Sequence, residues 1–274
     1  MHTPPPPSAV SLAAGGELTF FEAGKGPLLL CVHGFPLDHS MWQGQLVGLA
    51  DRFRVVAPDL RGFGRSHGGP AVTSLDDFVA DLCDLLDQLA LTEPVTLCGL
   101  SMGGYIAFRF AALAPQRLNG LILCDTRAAA DTADVIANRH RMVEIVRKGG
   151  VATVADAMHS KLFAAVSYAE QPTIAESTRR VMMTARPEAV AAALLAMAAR
   201  PDATPQLASL PMPSLWLCGS EDSITPPAEM QANAGLAPDS RFVEITDAGH
   251  MAPLEQPTLV NECIARFMNS LEHR

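Results

Sequence analysis

The sequence predicts an α/β fold: a mostly parallel central sheet with helices on both faces and a helical cap insertion. Three observations carry that expectation. Short apolar, β-rich runs alternate with longer stretches of helical periodicity, the pattern of successive βαβ units with right-handed crossovers. The alternation breaks between about Arg127 and Pro205, where Ala- and Met-rich helical stretches show no strand pattern. Finally, 274 residues that are 49% hydrophobic and 18% charged supply the core of one large domain, and global disorder is excluded.

The elements follow in order. Pro27 to His33 is a short apolar run stopped by Gly34, a buried-strand signal. His39 to Ala50 reads as a helix, and Phe53 to Ala57 as a second strand ending at Pro58-Asp59. Ser74, with Asp77 three residues on, opens a helix in a capping-box pattern. Its apolar positions Leu75, Phe78, Val79, Leu82, Leu85, Leu86 and Leu89 fall on one helical face. Further strands are expected over Val95 to Leu100, Leu118 to Cys124, Ser214 to Cys218 and Arg241 to Ile245, with a helix over Tyr105 to Ala114. The strand-free interval is too long for a loop or a single crossover. The division expected is therefore a core of residues 1–126 and 206–274, with residues 127–205 as a cap over the carboxyl edge of the sheet. The Pro4 to Pro7 tract reads as a flexible or polyproline leader.

The strongest chemical signal is Gly99-Leu-Ser101-Met-Gly103-Gly104, between a strand-like and a helix-like run. That is the setting a G-x-S-x-G nucleophile elbow requires: a sharp strand-to-helix turn lifts the serine above the sheet, and the crowded backbone calls for glycine. The turn also puts Ser101 at a helix N-terminus, where backbone N–H groups stabilise negative charge. G-x-S-x-G also arises by chance, so the partners decide. A serine nucleophile needs a base, and the base a carboxylate that fixes its tautomer. The run from Ser214 ends in Gly219-Ser-Glu221-Asp222, and the run ending at Ile245 leads to Asp247-Ala-Gly249-His250. Both groups then lie past the carboxyl ends of strands, in the chain order Ser101, Asp222, His250.

On these residues the chain resembles the α/β-hydrolase superfamily, in its small esterase, lactonase and haloperoxidase-like branch. The match is carried by His33-Gly-Phe35-Pro36, Asp59-Leu-Arg61-Gly62-Phe-Gly64-Arg-Ser66, the elbow, the turn from Gly219 to Pro226, and Gly249-His250. The resemblance implies Ser101 as nucleophile, His250 as general base and Asp222 as the acid. It also implies an oxyanion hole made by the backbone N–H groups of Phe35 and Met102. Glu221 competes with Asp222 by spacing, and Asp125, at another strand end, is the acid site of some relatives. The family pattern, four residues before Pro226, selects Asp222. His33 is expected to shape the oxyanion loop, His39, His140 and His159 to be surface or cap residues, and Asp59, Arg61 and Gly62 to form a structural turn. Met142, Met158, Met182, Met183 and Met197 read first as core residues.

The stretch from Cys98 to Gly104 is similar to that of 3-oxoadipate enol-lactonases, whereas His33 to Pro36 is closer to general esterases. Relatives that open epoxides or release halide carry aspartate at the elbow; serine points to an acyl-enzyme instead. The expected function is hydrolysis of small, short-acyl carboxylic esters, without a cofactor or metal. Rival readings are a lactonase, a C–C bond hydrolase or lyase, and a ligand receptor that keeps the triad. The partner expected is a small-molecule ester or lactone.

Net charge is -9, which argues against nucleic acid or an anionic membrane surface as the main partner. The longest apolar run, Ala189 to Ala199, is eleven residues, short of the roughly 20 that span a bilayer. The N-terminus lacks the pattern of a signal peptide. Six cysteines lack metal-ligand spacing and read as buried reduced thiols, so a cytoplasmic protein is expected. A homo-oligomer is compatible with the sequence.

Overall fold

The computed structural model describes residues 6–271. Its centre is an eight-stranded sheet: β1 (Pro7–Ser11), β2 (Glu17–Ala23), β3 (Leu28–Val32), β4 (Arg54–Pro58), β5 (Val95–Leu100), β6 (Leu118–Cys124), β7 (Ser214–Gly219) and β8 (Ser240–Ile245), in the order β1-β2-β4-β3-β5-β6-β7-β8. β1 pairs with β2 and β2 with β4 antiparallel; every other pairing is parallel.

The central strands are apolar on both faces because helices cover both. Along β3, Leu28, Leu30 and Val32 enter one core while Leu29 and Cys31 enter the other; along β6, Leu121 and Leu123 separate in the same way from Ile122 and Cys124. The first core is closed by α2 (Leu75–Gln88) and α3 (Met102–Leu113), the second by α1 (Gln43–Gly48) and, after β8, by the C-terminal helix of residues Pro257–Leu271. The capping box of α2 is complete: Ser74 Oγ accepts from Asp76 N and the Asp77 carboxylate accepts from Ser74 N. The expected helix over 39–50 is divided. The Asp38 side chain accepts from Ser40 N and starts a 3₁₀ turn over His39–Trp42, and α1 begins only at Gln43.

The interval between β6 and β7 contains only helices among the described residues: α4 (Ala133–Gly149), α5 (Ala152–Leu162), α6 (Ala165–Glu170), α7 (Pro172–Thr184), α8 (Pro187–Ala198) and α9 (Thr204–Leu207). α4 packs on α8, and α8 on α2. A buried ion cluster ties the two ends of this segment together and meets the sheet layer at Tyr105. Arg200 pairs with Asp131 at 2.7 Å, Arg139 pairs with the same carboxylate at 2.5 Å, and the Arg200 guanidinium stacks 4.0 Å above the Tyr105 ring of α3. After β7 come α10 (Pro227–Ala234), and after β8 the short α11 (Ala252–Glu255) and α12, the C-terminal helix.

The N-terminal hairpin corrects the reading of the first residues. Pro7 opens β1, while Pro4 and Pro5 of the expected leader lie outside the described residues. All six cysteines are free, five of them buried. No single helix among the described residues is long and apolar enough to cross a membrane; the run from Ala189 lies in α8, whose Val190, Ala193 and Leu194 are buried in the core.

Candidate active site

Ser101 forms the turn between β5 and α3 with φ 53° and ψ −111°, a conformation that costs a non-glycine residue about 1–3 kcal/mol and needs support from its surroundings. β6 and the loop that follows it supply it: Ser101 N donates to Cys124 O (2.9 Å) and Thr126 Oγ1 donates to Ser101 O (2.8 Å). A Cβ on Gly103 would run into the Val32 carbonyl, so this position of the elbow admits only glycine. The loop after β3 passes beside the serine: a Cβ on Gly34 would lie 3.6 Å from Ser101 Cβ. Phe35, next in that loop, is buried with its ring edge-on to Phe63. Met102 is the first residue of α3, where backbone N–H groups have no intrahelical acceptor.

His33 fixes the loop from below. It is fully buried; Nε2 accepts from Leu60 N (3.0 Å) and Nδ1 donates to Gly34 O (2.9 Å), and burial holds its pKa below the usual imidazole value. The ring is neutral and buttresses the backbone that precedes Phe35. Asp59 serves the same turn region: Oδ1 accepts from both His39 N and the His39 ring, and Oδ2 from Arg65 N. Arg61 pairs with buried Asp81.

Asp222 follows β7 and His250 follows β8, each 3% exposed. His250 Nδ1 lies 2.8 Å from Asp222 Oδ2, which also accepts from Thr225 Oγ1 at 2.5 Å; Oδ1 accepts from Ile224 N (2.8 Å) and Thr225 N (3.0 Å). Burial raises the Asp222 pKa, but the facing imidazole and these hydrogen bonds outweigh it and hold the carboxyl below its usual range. An ionised Asp222 places the proton of neutral His250 on Nδ1 and leaves Nε2 as an acceptor. Ser101, Asp222 and His250 thus stand at the carboxyl ends of β5, β7 and β8.

The two rival acids are separated by their partners. Glu221 is exposed and accepts from Ala165 N at 3.2 Å, so it faces the helical segment. Asp125 is fully buried beside Asp222. Its Oδ1 accepts from Gly219 N (2.8 Å), its Oδ2 is buried without a hydrogen-bond partner, and burial, then the Asp222 charge, push its pKa well above the usual carboxyl range. Asp125, Cys218 and Asp222 also present donor atoms within 4.8 Å of one another. Burial pushes the Cys218 thiol up, and its proton is donated to Thr225 O, so this group offers a thiol and not a thiolate. The second acidic cluster, Asp38, His39 and Asp59, has the Asp59 oxygens already occupied as described.

His140 is exposed on α4, His159 half-buried on α5 and His39 half-buried in its 3₁₀ turn. Met182 and Met197 are buried, Met142 and Met158 half-buried against the core, and Met183 is 38% exposed. Sequence reasoning missed Thr225, which braces Asp222, and Glu255. The Glu255 carboxylate is 2% exposed and binds the backbone on both sides of His250. The signal available was an acidic residue inside the otherwise uncharged stretch that follows Gly249-His250.

Residues 27–257 match the family described as the alpha/beta hydrolase fold. Over 250 residues the chain is 28% identical to 3-oxoadipate enol-lactonase 2 of Acinetobacter baylyi, covering 91% of each chain. It is 29% identical over 255 residues to pimeloyl-[acyl-carrier protein] methyl ester esterase of Xanthomonas campestris, covering 90% of this chain and 97% of the relative. Among solved structures, a thermophilic esterase from Thermogutta terrifontis, in a malate-bound form, superposes with a TM-score of 0.94 at 44% identity, covering 97% of this chain and 99% of that one.

Proposed function

The chain belongs to the alpha/beta hydrolase family, and from that premise we propose that it is a serine carboxylesterase acting on small, short-acyl esters. The observation that carries this reading is the supported turn at Ser101 together with the His250–Asp222 pair at neighbouring strand ends. In the proposed route the Ser101 hydroxyl attacks the acyl carbon while His250 Nε2 takes its proton. The N–H groups of Phe35 and Met102 receive the negative charge that develops on the carbonyl oxygen, an interaction worth about 10²–10³ in rate per donor. His250 then protonates the leaving alcohol and afterwards activates water, which releases the acid and restores Ser101. Asp222 holds the imidazole tautomer and stabilises the imidazolium. The route uses side chains, backbone N–H groups and water only.

The restriction to small substrates rests on the helices between β6 and β7, which we read as a cap. The link from α5 to α6 lies so close to the His250 loop that a Cβ on Gly249 would come within 2.7 Å of Ala164 N. A roof seated this near the base favours a short acyl chain. The 44% identity to an esterase supports ester hydrolysis as the first reading. The full-length similarity to an enol-lactonase supports lactone hydrolysis as the second reading, since the chemistry differs only in a leaving alcohol that stays tethered.

The test is hydrolysis of p-nitrophenyl esters from acetate to dodecanoate, with Ser101→Ala beside the wild type. Turnover is expected to peak at short chains and to fall at least about 10³-fold in the variant. A peak at long chains refutes the small pocket. Activity surviving in Ser101→Ala refutes the nucleophile, and a folded wild type that turns over no ester moves the reading to C–C cleavage or to a receptor.

A further inference from the structure

Glu255, at the end of α11, divides four hydrogen bonds between its two oxygens. Oε1 accepts from Gly249 N (2.8 Å) and Met251 N (3.2 Å), the residues on either side of His250. Oε2 accepts from Ala164 N (2.8 Å) and Ser167 Oγ (2.6 Å), which belong to the link between α5 and α6 and to α6 itself. The Glu255 carbonyl also accepts from Gln171 Nε2 (3.4 Å), a third contact with the same helical segment. All of these partners are neutral donors, and the carboxylate is 2% exposed. A buried carboxylate is expensive unless its lone pairs are satisfied, and here one anion satisfies the backbone of two segments at once. The close approach of the Ala164 backbone to Gly249 shows independently that these two segments are fitted to each other.

We propose that Glu255 is a positioning residue that holds the His250 ring in register and couples that register to the seating of the helical cap. The inference rests on the reading of His250 as general base. Each segment loses a fixed acceptor when the other shifts, because the two oxygens are one rigid group. Cap displacement therefore loosens the peptide units flanking His250, and the base is aligned only under a seated cap.

Glu255→Gln keeps the shape but replaces one acceptor by an NH₂ donor, so one pair of donors loses its partner. Glu255→Asp keeps the charge but is one methylene too short to reach both segments. Each variant is expected to lower the rate of Ser101 acylation by p-nitrophenyl acetate about tenfold or more, or to raise KM by a similar factor. The downfield proton resonance of His250 Nδ1–H, assigned by its absence in His250→Ala, is expected to shift in Glu255→Gln. Ser167→Ala removes one hydroxyl on the cap side only. It is expected to lower the acylation rate about threefold or more and to shift the His250 Nδ1–H resonance, and it serves where a Glu255 variant fails to fold. A folded Glu255 variant with acylation rate, KM and resonance all as in the wild type overturns the positioning role. An acylation rate and a His250 resonance both unchanged in Ser167→Ala overturn the coupling to the cap. If a fluorophosphonate fails to label Ser101 in the wild type, the serine-hydrolase reading itself falls and takes this inference with it, an outcome distinct from both.

Discussion

Replacing Asp222 by asparagine tests how the carboxylate acts, because the consequences follow from its four partners. Asp222 accepts from two backbone N–H groups at Oδ1 and from Thr225 Oγ1 and the His250 ring at Oδ2. Asparagine has one acceptor and one NH₂. Facing the NH₂ toward Ile224 N and Thr225 N would oppose donor to donor, with no way for the backbone to turn. The Thr225 hydroxyl can rotate and accept instead, and the imidazole can change tautomer. In Asp222→Asn the new amide is therefore expected to keep its oxygen on the two backbone N–H groups and present its NH₂ to His250 Nδ1. That arrangement moves the ring proton to Nε2, where it blocks proton transfer from Ser101. The expected loss in kcat is about 10⁴-fold, roughly 5 kcal/mol of barrier, with KM and stability little changed. Steady-state kinetics on p-nitrophenyl acetate, with thermal melts to confirm folding, measure it. Retention of kcat within about tenfold would refute the tautomer argument. If the retained activity then disappeared in the Asp125→Asn background, the acid would be Asp125.

Two further outcomes follow from buried charge. The folded-state pKa of Asp125 is raised, so between the ordinary carboxyl pKa and that raised value the folded chain holds a proton that the unfolded chain releases, and this group removes stability as pH rises. Asp125→Asn keeps the acceptor for Gly219 N and offers an NH₂ toward Asp222; its stability relative to wild type, from urea melts at about pH 5 and about pH 8, should increase with pH by at most about 1.4 kcal/mol per unit, and an unchanged difference contradicts the assignment of the proton. Arg200→Met leaves Asp131 with Arg139 alone and removes the cation from the Tyr105 ring; a loss of about 3–5 kcal/mol in urea unfolding is expected, and a loss below about 1 kcal/mol would show that the cluster does not fasten the helical segment.

What the sequence made legible depends on how far apart the determining residues lie. The elbow is a local object: glycines, serine and the flanking strand and helix patterns fall within a few residues, and the backbone contacts that demand Gly99 are made with Gly103 and Gly104 of the same turn. The parallel strands were legible for a similar reason, since burial on both faces writes unbroken apolar runs into each. β1 carries no such mark. Its five residues are mostly exposed, and it is a strand because Pro7 to Ser11 meet Phe21 to Glu17 in antiparallel register. Strand position left the choice between Asp125 and Asp222 open, and the resemblance, through the spacing to Pro226, favoured Asp222; the physical difference lies elsewhere. It turns on hydrogen-bond donors: Ile224, Thr225 and His250 converge on Asp222, while Asp125 has Gly219 N at one oxygen and no hydrogen-bond partner at the other. Glu255 is the extreme case. Its partners lie four and six residues away on one side and as far as 91 on the other, so no window of sequence contains its role. Ser101 and His250, the proposed nucleophile and base, occupy turns that local chemistry dictates, whereas the groups proposed to set their orientation are recruited by packing. Substitutions at Glu255 are therefore expected to shift rate or KM by about tenfold, where those at Ser101 abolish the reaction.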